Sequence, residues 1–201
     1  MRTELSLNPP SHLLRLLGAP HIEGPEGVLE GGVAQRHRIA LLALLAVAPR
    51  RLLPRDRLMA LLWPEASTES ARNLLNAAVH AVRRSLGEQV LINQGTGLYL
   101  DPSAIRIDVV ELENALKNGE FRQAIDLYTG PFLDGLALPD AVEFEHWQER
   151  ECDRLERVYH TALEQNAAKV AQDHGPAEAV IWWRRRLACT PADERVTLIS
   201  A

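Results

Sequence analysis

Lysine is nearly missing from this sequence. Of its 201 residues only Lys117 and Lys169 are lysines, and residues 1–101 hold none. The positive charge of the first half is therefore all arginine. Cysteine is almost as scarce: Cys152 and Cys189 are too few for a disulfide framework and lack metal-ligand spacing, so they read as reduced thiols. No apolar run exceeds the ten residues Ile39 to Ala48, where a membrane span needs about twenty. The apolar stretch Leu13 to Ala19 is broken by Arg15, which excludes an ordinary export signal. These absences lead to an expectation of a cytoplasmic protein without a membrane partner. Twelve glycines and twelve prolines are too few for a low-complexity chain. There is no His-Glu-x-x-His, no P-loop and no Gly-rich dinucleotide fingerprint. His146 and Cys152, six apart on one expected helix, point about 120° away from each other and make a poor catalytic pair. The expectation is a protein that is not an enzyme and needs no cofactor or metal.

What is present is an ordinary globular mix, 46% apolar and 24% charged, at a length that suits one large domain or two small ones. The charge is unevenly spread. Residues 1–101 carry eleven arginines and nine acids, a formal +2, whereas residues 102–201 carry eleven bases and eighteen acids, a formal −7. A part that faces nucleic acid joined to a part that does something else would have this asymmetry.

Punctuation along the chain divides it. Residues 1–12 form a lead-in. Residues 13–32, interrupted by Gly18, Pro20, Gly24, Gly27, Gly31 and Gly32, read as a small antiparallel sheet. Three helices are expected next: Val33 to Ala48, Pro54 to Leu62, and one capped by Ser67 or Thr68 that stops at Gly87. Val90–Ile92 and Leu98–Leu100 flank the turn-forming run Asn93–Gly97, a hairpin. Strands, three helices and a hairpin in that order describe a winged helix-turn-helix over residues 13–103. Residues 104–201 read as helical, with helices over Ile105–Asn118, Glu120–Thr129, Asp140–Gln172 and Ala177–Cys189, and a further one from Asp193. Successive helix pairs of this kind describe a tetratricopeptide-like repeat. The expected fold class is mainly α with small β elements.

The third helix carries the chemistry. On a wheel of about 100° per residue, Ala71, Leu75, Val79, Val82 and Leu86 form one core face. Arg72, Asn73, Asn76, His80, Arg83 and Arg84 share the other side. Arginine pairs bidentately with guanine and asparagine with adenine, and both also bind phosphate. An ordinary solvated helix face also carries such residues, but Glu69 is the only acid in this helix, which favours an anionic partner. Arg55 and Arg57, at the start of the second helix, are placed to clamp backbone phosphates. Gln94 and Thr96 lie in the expected wing. The acidic run from Glu143 to Glu156 reads as a solvated face, and Trp182 to Arg186 as packed tryptophan beside solvated arginine.

The combination is recognisable. Leu52-Leu53-Pro54-Arg55-Asp56-Arg57-Leu58, Leu62-Trp63-Pro64, Ser70-Ala71-Arg72-Asn73-Leu74-Leu75, Val82-Arg83-Arg84-Ser85-Leu86-Gly87 and Gly97-Leu98-Tyr99-Leu100 resemble the DNA-binding half of SARP-type bacterial transcriptional activators. Tyr128 to Gly135 and Phe144-Glu145-His146-Trp147 resemble their bacterial transcriptional activator domain. The resemblance implies an OmpR-like winged helix whose third helix enters the major groove, followed by a tetratricopeptide-like domain. It also implies double-stranded DNA as partner, as direct repeats in promoters, with self-association on DNA and recruitment of RNA polymerase. The protein would then be associated with the nucleoid. Many relatives have a more basic third helix than this one, with its Asn73, Asn76 and His80. A second reading is a protein–protein adaptor in which the winged helix serves only for docking. The sequence stops inside an expected helix, from which a longer natural chain is expected.

Overall fold

The computed structural model describes residues 12–31 and 35–188. The lead-in up to residue 11, Cys189 and the expected helix from Asp193 lie outside the described residues.

The chain begins with three short strands, β1 (Leu13–Arg15), β2 (His21–Gly24) and β3 (Gly27–Val28), paired antiparallel in sequence order. The first helix, α1, runs over Arg36–Val47 and is buried from Ile39 to Ala46. It is apolar on every side, as a helix wrapped by other elements must be. After a turn over Pro49–Arg51, Leu52–Pro54 form a strand, β4, that the sequence reading did not anticipate. Three residues ending in proline carry little strand signal. Their pairing with a distant strand decides the matter.

Two helices follow: α2 (Arg55–Leu62) and α3 (Thr68–Leu86). Ser67 caps α3 by accepting from the Ser70 N–H, and Gly87, at φ 105°, ends it. The hairpin is β5 (Leu91–Gln94) and β6 (Gly97–Leu100), turning through Gly95-Thr96 alone. The turn is tighter than the five residues expected, because Asn93 and Gln94 pair with Leu98 and Gly97. With β4 the hairpin makes a three-stranded sheet in the order β4-β6-β5. Gly97 permits this closeness, since a Cβ there would lie 2.6 Å from the Leu53 carbonyl oxygen.

The helical half departs from expectation at its start. Residues 105–107 are not helical: Arg106–Ile107 form β7, which joins the N-terminal sheet parallel to β1. The order of that sheet is β3-β2-β1-β7, so it spans the boundary expected near residue 103. The helix α4 (Asp108–Lys117) begins at Asp108, whose buried carboxylate accepts from the N–H groups of Leu16 (2.8 Å), Leu17 (3.0 Å) and Val109 (2.7 Å). Then come α5 (Phe121–Leu127), the long α6 (Val142–His174) and α7 (Pro176–Ala188), each in contact with the one before it. Gly175 at φ 94° and Pro176 at the first position of α7 make the break between the last two.

The two halves share a core. Buried side chains from Leu14 through α1, α3 and β6 to Phe144 and Leu163 form one continuous cluster. The β1–β2 turn inserts into the helical half. Leu17 bridges Phe132, the Gly18 N–H donates to Pro131 O at 2.9 Å, and the Thr129 hydroxyl donates to Leu17 O. Trp182 packs on this core with the Arg122 guanidinium 4.9 Å above its ring. Trp183, expected to pack, is 44% exposed.

Candidate nucleic-acid interface

The wheel of α3 is reproduced in three dimensions. Ala71, Leu75, Val79, Val82 and Leu86 are buried, with Ala78 beside them. Arg72, Asn73, Asn76, His80 and Arg84 are exposed, and so is Ala77. Because one face is fixed on α1 and α2, the opposite face is held out as a rigid stripe, about 18 Å long from Arg72 to Arg84. A B-form major groove admits a helix presented in this way.

Arg83 stands apart. Its Nε and Nη2 donate to the Leu91 carbonyl oxygen at 2.8 and 2.6 Å, and its side chain is only 21% exposed. Expected in the groove, it instead ties the C-terminal end of α3 to the first residue of β5. The wheel gave its direction correctly, but the wing strand lies on that side and takes the side chain.

Arg55 makes a second tie. Its backbone N–H donates to Thr96 O at 3.1 Å, which fixes the start of α2 against the wing turn. Its guanidinium donates through Nη2 to Asn76 Oδ1 and through Nη1 to Asn93 Oδ1 at 3.4 Å. One side chain thus joins α2, α3 and the wing. Asn93 was not singled out from sequence; nothing but tertiary contact distinguishes it from the other turn residues. Partial burial, followed by the positive charges of Arg83 and Arg72, pushes the Arg55 guanidinium below its usual range. Arg55 thus carries its charge within the field of two arginines of α3, and an anion bound beside it relieves that repulsion.

Asn76, held by Arg55, has its oxygen already engaged. The bidentate adenine contact needs that oxygen as well as the amide N–H groups, so it requires Arg55 to let go. Gln94 and Thr96 are exposed on the wing. Arg57, expected at a phosphate, faces the other way and donates to Glu143 at the start of α6 at 3.2 Å. The structure therefore places Arg72, Asn73, Asn76, His80 and Arg84 on one exposed face of α3, joins that face to the wing through Arg55, and places Arg57 at the junction with the helical half.

Residues 33–97 match the family model described as transcriptional regulatory protein, C terminal. Among solved structures the chain is similar in fold to Mycobacterium tuberculosis EmbR, solved in complex with a low-affinity phosphopeptide. That likeness has a TM-score of 0.54 at 18% sequence identity and covers 88% of this chain and 59% of the other. This chain thus corresponds to about three fifths of that relative's length. In sequence, no curated protein matches it significantly. The matched model supports a domain of the transcriptional-regulator type over residues 33–97, and the solved structure shows a fold in common with it.

Proposed function

We propose that the chain binds specific promoter sequences through α3 and the β5–β6 wing, and that it acts as a transcriptional activator. The observation that carries this reading is the exposed arginine and asparagine stripe of α3, with the wing tied beside it by Arg55 and Arg83. In this reading Asn73, His80 and Arg84 face base edges along the stripe. Arg72 and Arg55 take phosphates at its edge, and Gln94 and Thr96 follow the backbone beside the groove. Direct repeats would seat successive copies side by side, recruitment of RNA polymerase would follow, and the site of action would be the bacterial nucleoid.

Fluorescence anisotropy with the chain's own upstream DNA, titrated with salt against a scrambled duplex, tests the reading. Each phosphate contact contributes a slope of about −0.9 in log K against log salt. Specific binding with a slope of several units is the expected result. Equal binding to both duplexes, or none at low salt, counts against it.

The adaptor reading draws on one observation: Val180, Ile181 and Trp183 of α7 are 42%, 67% and 44% exposed. Arg72→Ala with Arg84→Ala separates the two readings. The pair abolishes promoter binding in the first and leaves partner binding intact in the second.

A further inference from the structure

A second basic site lies where the two halves meet. The end of α1, the Pro49–Arg51 turn, β6, α4 and α6 enclose a cleft of about 410 Å³. Its charged lining is Arg50 and Arg51 from the winged half, and Glu113, Lys117 and Arg154 from the helical half. Arg154 pairs with Glu113 at 2.6 Å and with Glu151 at 2.7 Å, so its one charge is shared between two carboxylates. Arg50, Arg51 and Lys117 are left. Among the described residues none of these three forms an ion pair. Three unmatched cations around one cleft are unexpected in a chain of net charge −5.

The backbone adds a second observation. Arg50 and Arg51 are consecutive residues at φ 56° and 53°, in the left-handed region. Side chains with a Cβ are strained there, and glycine is not. Glycine would make the same turn without strain, so what arginine adds at these positions is its guanidinium. The site is also separate from the stripe of α3. Pro54 pairs with Gly97 beside the wing turn, whereas Leu52, next to Arg51, pairs with Tyr99 at the far end of the sheet.

We propose that this cleft binds a small phosphate-bearing anion, with a diphosphate group as its minimal recognised part. Two guanidinium forks and an ammonium supply more charge than a monocarboxylate can neutralise, and guanidinium geometry matches phosphate oxygens bidentately. Because the cations come from both halves, the bound anion fastens the winged helix to the helical repeat. The assignment is independent of DNA binding by α3.

The test uses the full chain and inorganic pyrophosphate, followed by calorimetric titration and thermal unfolding, with sulfate at matched ionic strength as control. The expected result is one site and a Tm rise of about 5–10 °C at a hundred times the dissociation constant. The double substitution Arg50→Gly with Arg51→Gly relieves the turn. It leaves Tm unchanged or raised without the anion and removes the anion response. Lys117→Gln, an exposed change that spares the backbone, weakens the response, and Arg72→Ala retains it. The proposal is overturned by an equal rise in the double glycine variant, by an equal rise with sulfate, or by the absence of binding heat. A DNA duplex that displaces pyrophosphate, and whose own affinity falls with the same glycine substitutions, would assign the cleft to nucleic-acid phosphates and overturn it too.

Discussion

Arg83 and Arg84 are neighbours in sequence with different tasks. Arg84 is exposed on α3, whereas Arg83 spends two N–H groups on the Leu91 carbonyl. Arg84→Ala is expected to change stability by less than about 0.5 kcal/mol while weakening DNA binding. Arg83→Ala is expected to cost about 1.5–3 kcal/mol, because a charge-assisted pair at a buried strand residue is lost. Urea denaturation of the two variants, set beside their DNA affinities, separates contact from support. Asn73→Ala is expected to weaken specific binding by about 1–3 kcal/mol and leave the scrambled duplex unaffected. Asp108 is a different kind of residue, fully buried at the start of α4. Burial pushes its carboxyl above the ordinary aspartate range, and the N–H groups of Leu17, Leu16 and Val109 pull it part of the way back. A carboxyl with a raised folded pKa contributes most to stability below its unfolded pKa and loses that contribution as pH rises through the folded one. The stability advantage of the native chain over Asp108→Ala should therefore be widest below about pH 4 and narrow towards neutrality. A gap that widens with pH in denaturation curves would refute this.

The wing and α3 act together as elements. The wing is a hairpin of four-residue strands, too short to hold a position by itself. It is placed by β4 on one edge, by Arg83 at the end of α3 and by Arg55 at the start of α2. Gly97 is where these constraints meet. Gly97→Ala would drive a methyl group into the Leu53 carbonyl, so β4 and β6 must separate locally. The expected cost is about 1–3 kcal/mol in a thermal melt, with a loss of DNA affinity although no DNA contact is removed. The apolar pattern of α1 gave its burial, and the cap and stop residues of α3 gave its ends to within a residue. β4 and β7 were missed for a physical reason. Strands of two or three residues gain their stability from partners far away in sequence, and neither periodicity nor turn chemistry records those partners.

At the scale of the whole molecule the halves are not independent. β1 pairs with β7, Asp108 accepts from the backbone of β1's end, the β1–β2 turn docks on Thr129 to Pro131, and Arg57 meets Glu143. The last of these is exposed on both sides and contributes about 0–1 kcal/mol. The shared core and the buried backbone pairs contribute more. The full chain is expected to unfold in a single calorimetric transition whose enthalpy equals the van't Hoff value. A fragment ending at residue 103 loses β7, the Asp108 carboxylate and the helical side of the core, and is expected to lack a cooperative transition. Two separate transitions in the full chain, or a cooperative fragment, would contradict that coupling.

The order of the principal elements, the buried face of α3 and the identity of the stripe opposite it are all legible in the amino-acid pattern. Those features rest on local patterning: apolar residues at helical spacing, a serine cap, a glycine stop, a glycine-bearing turn. The tertiary structure alone decided which arginines are available. Arg83, Arg55 and Arg57 are alike in sequence, yet one holds the wing, one bridges three elements and one turns to α6. A guanidinium on a long flexible stem goes to whichever acceptor the fold brings within reach. That acceptor was in each case 8 to 86 residues away along the chain.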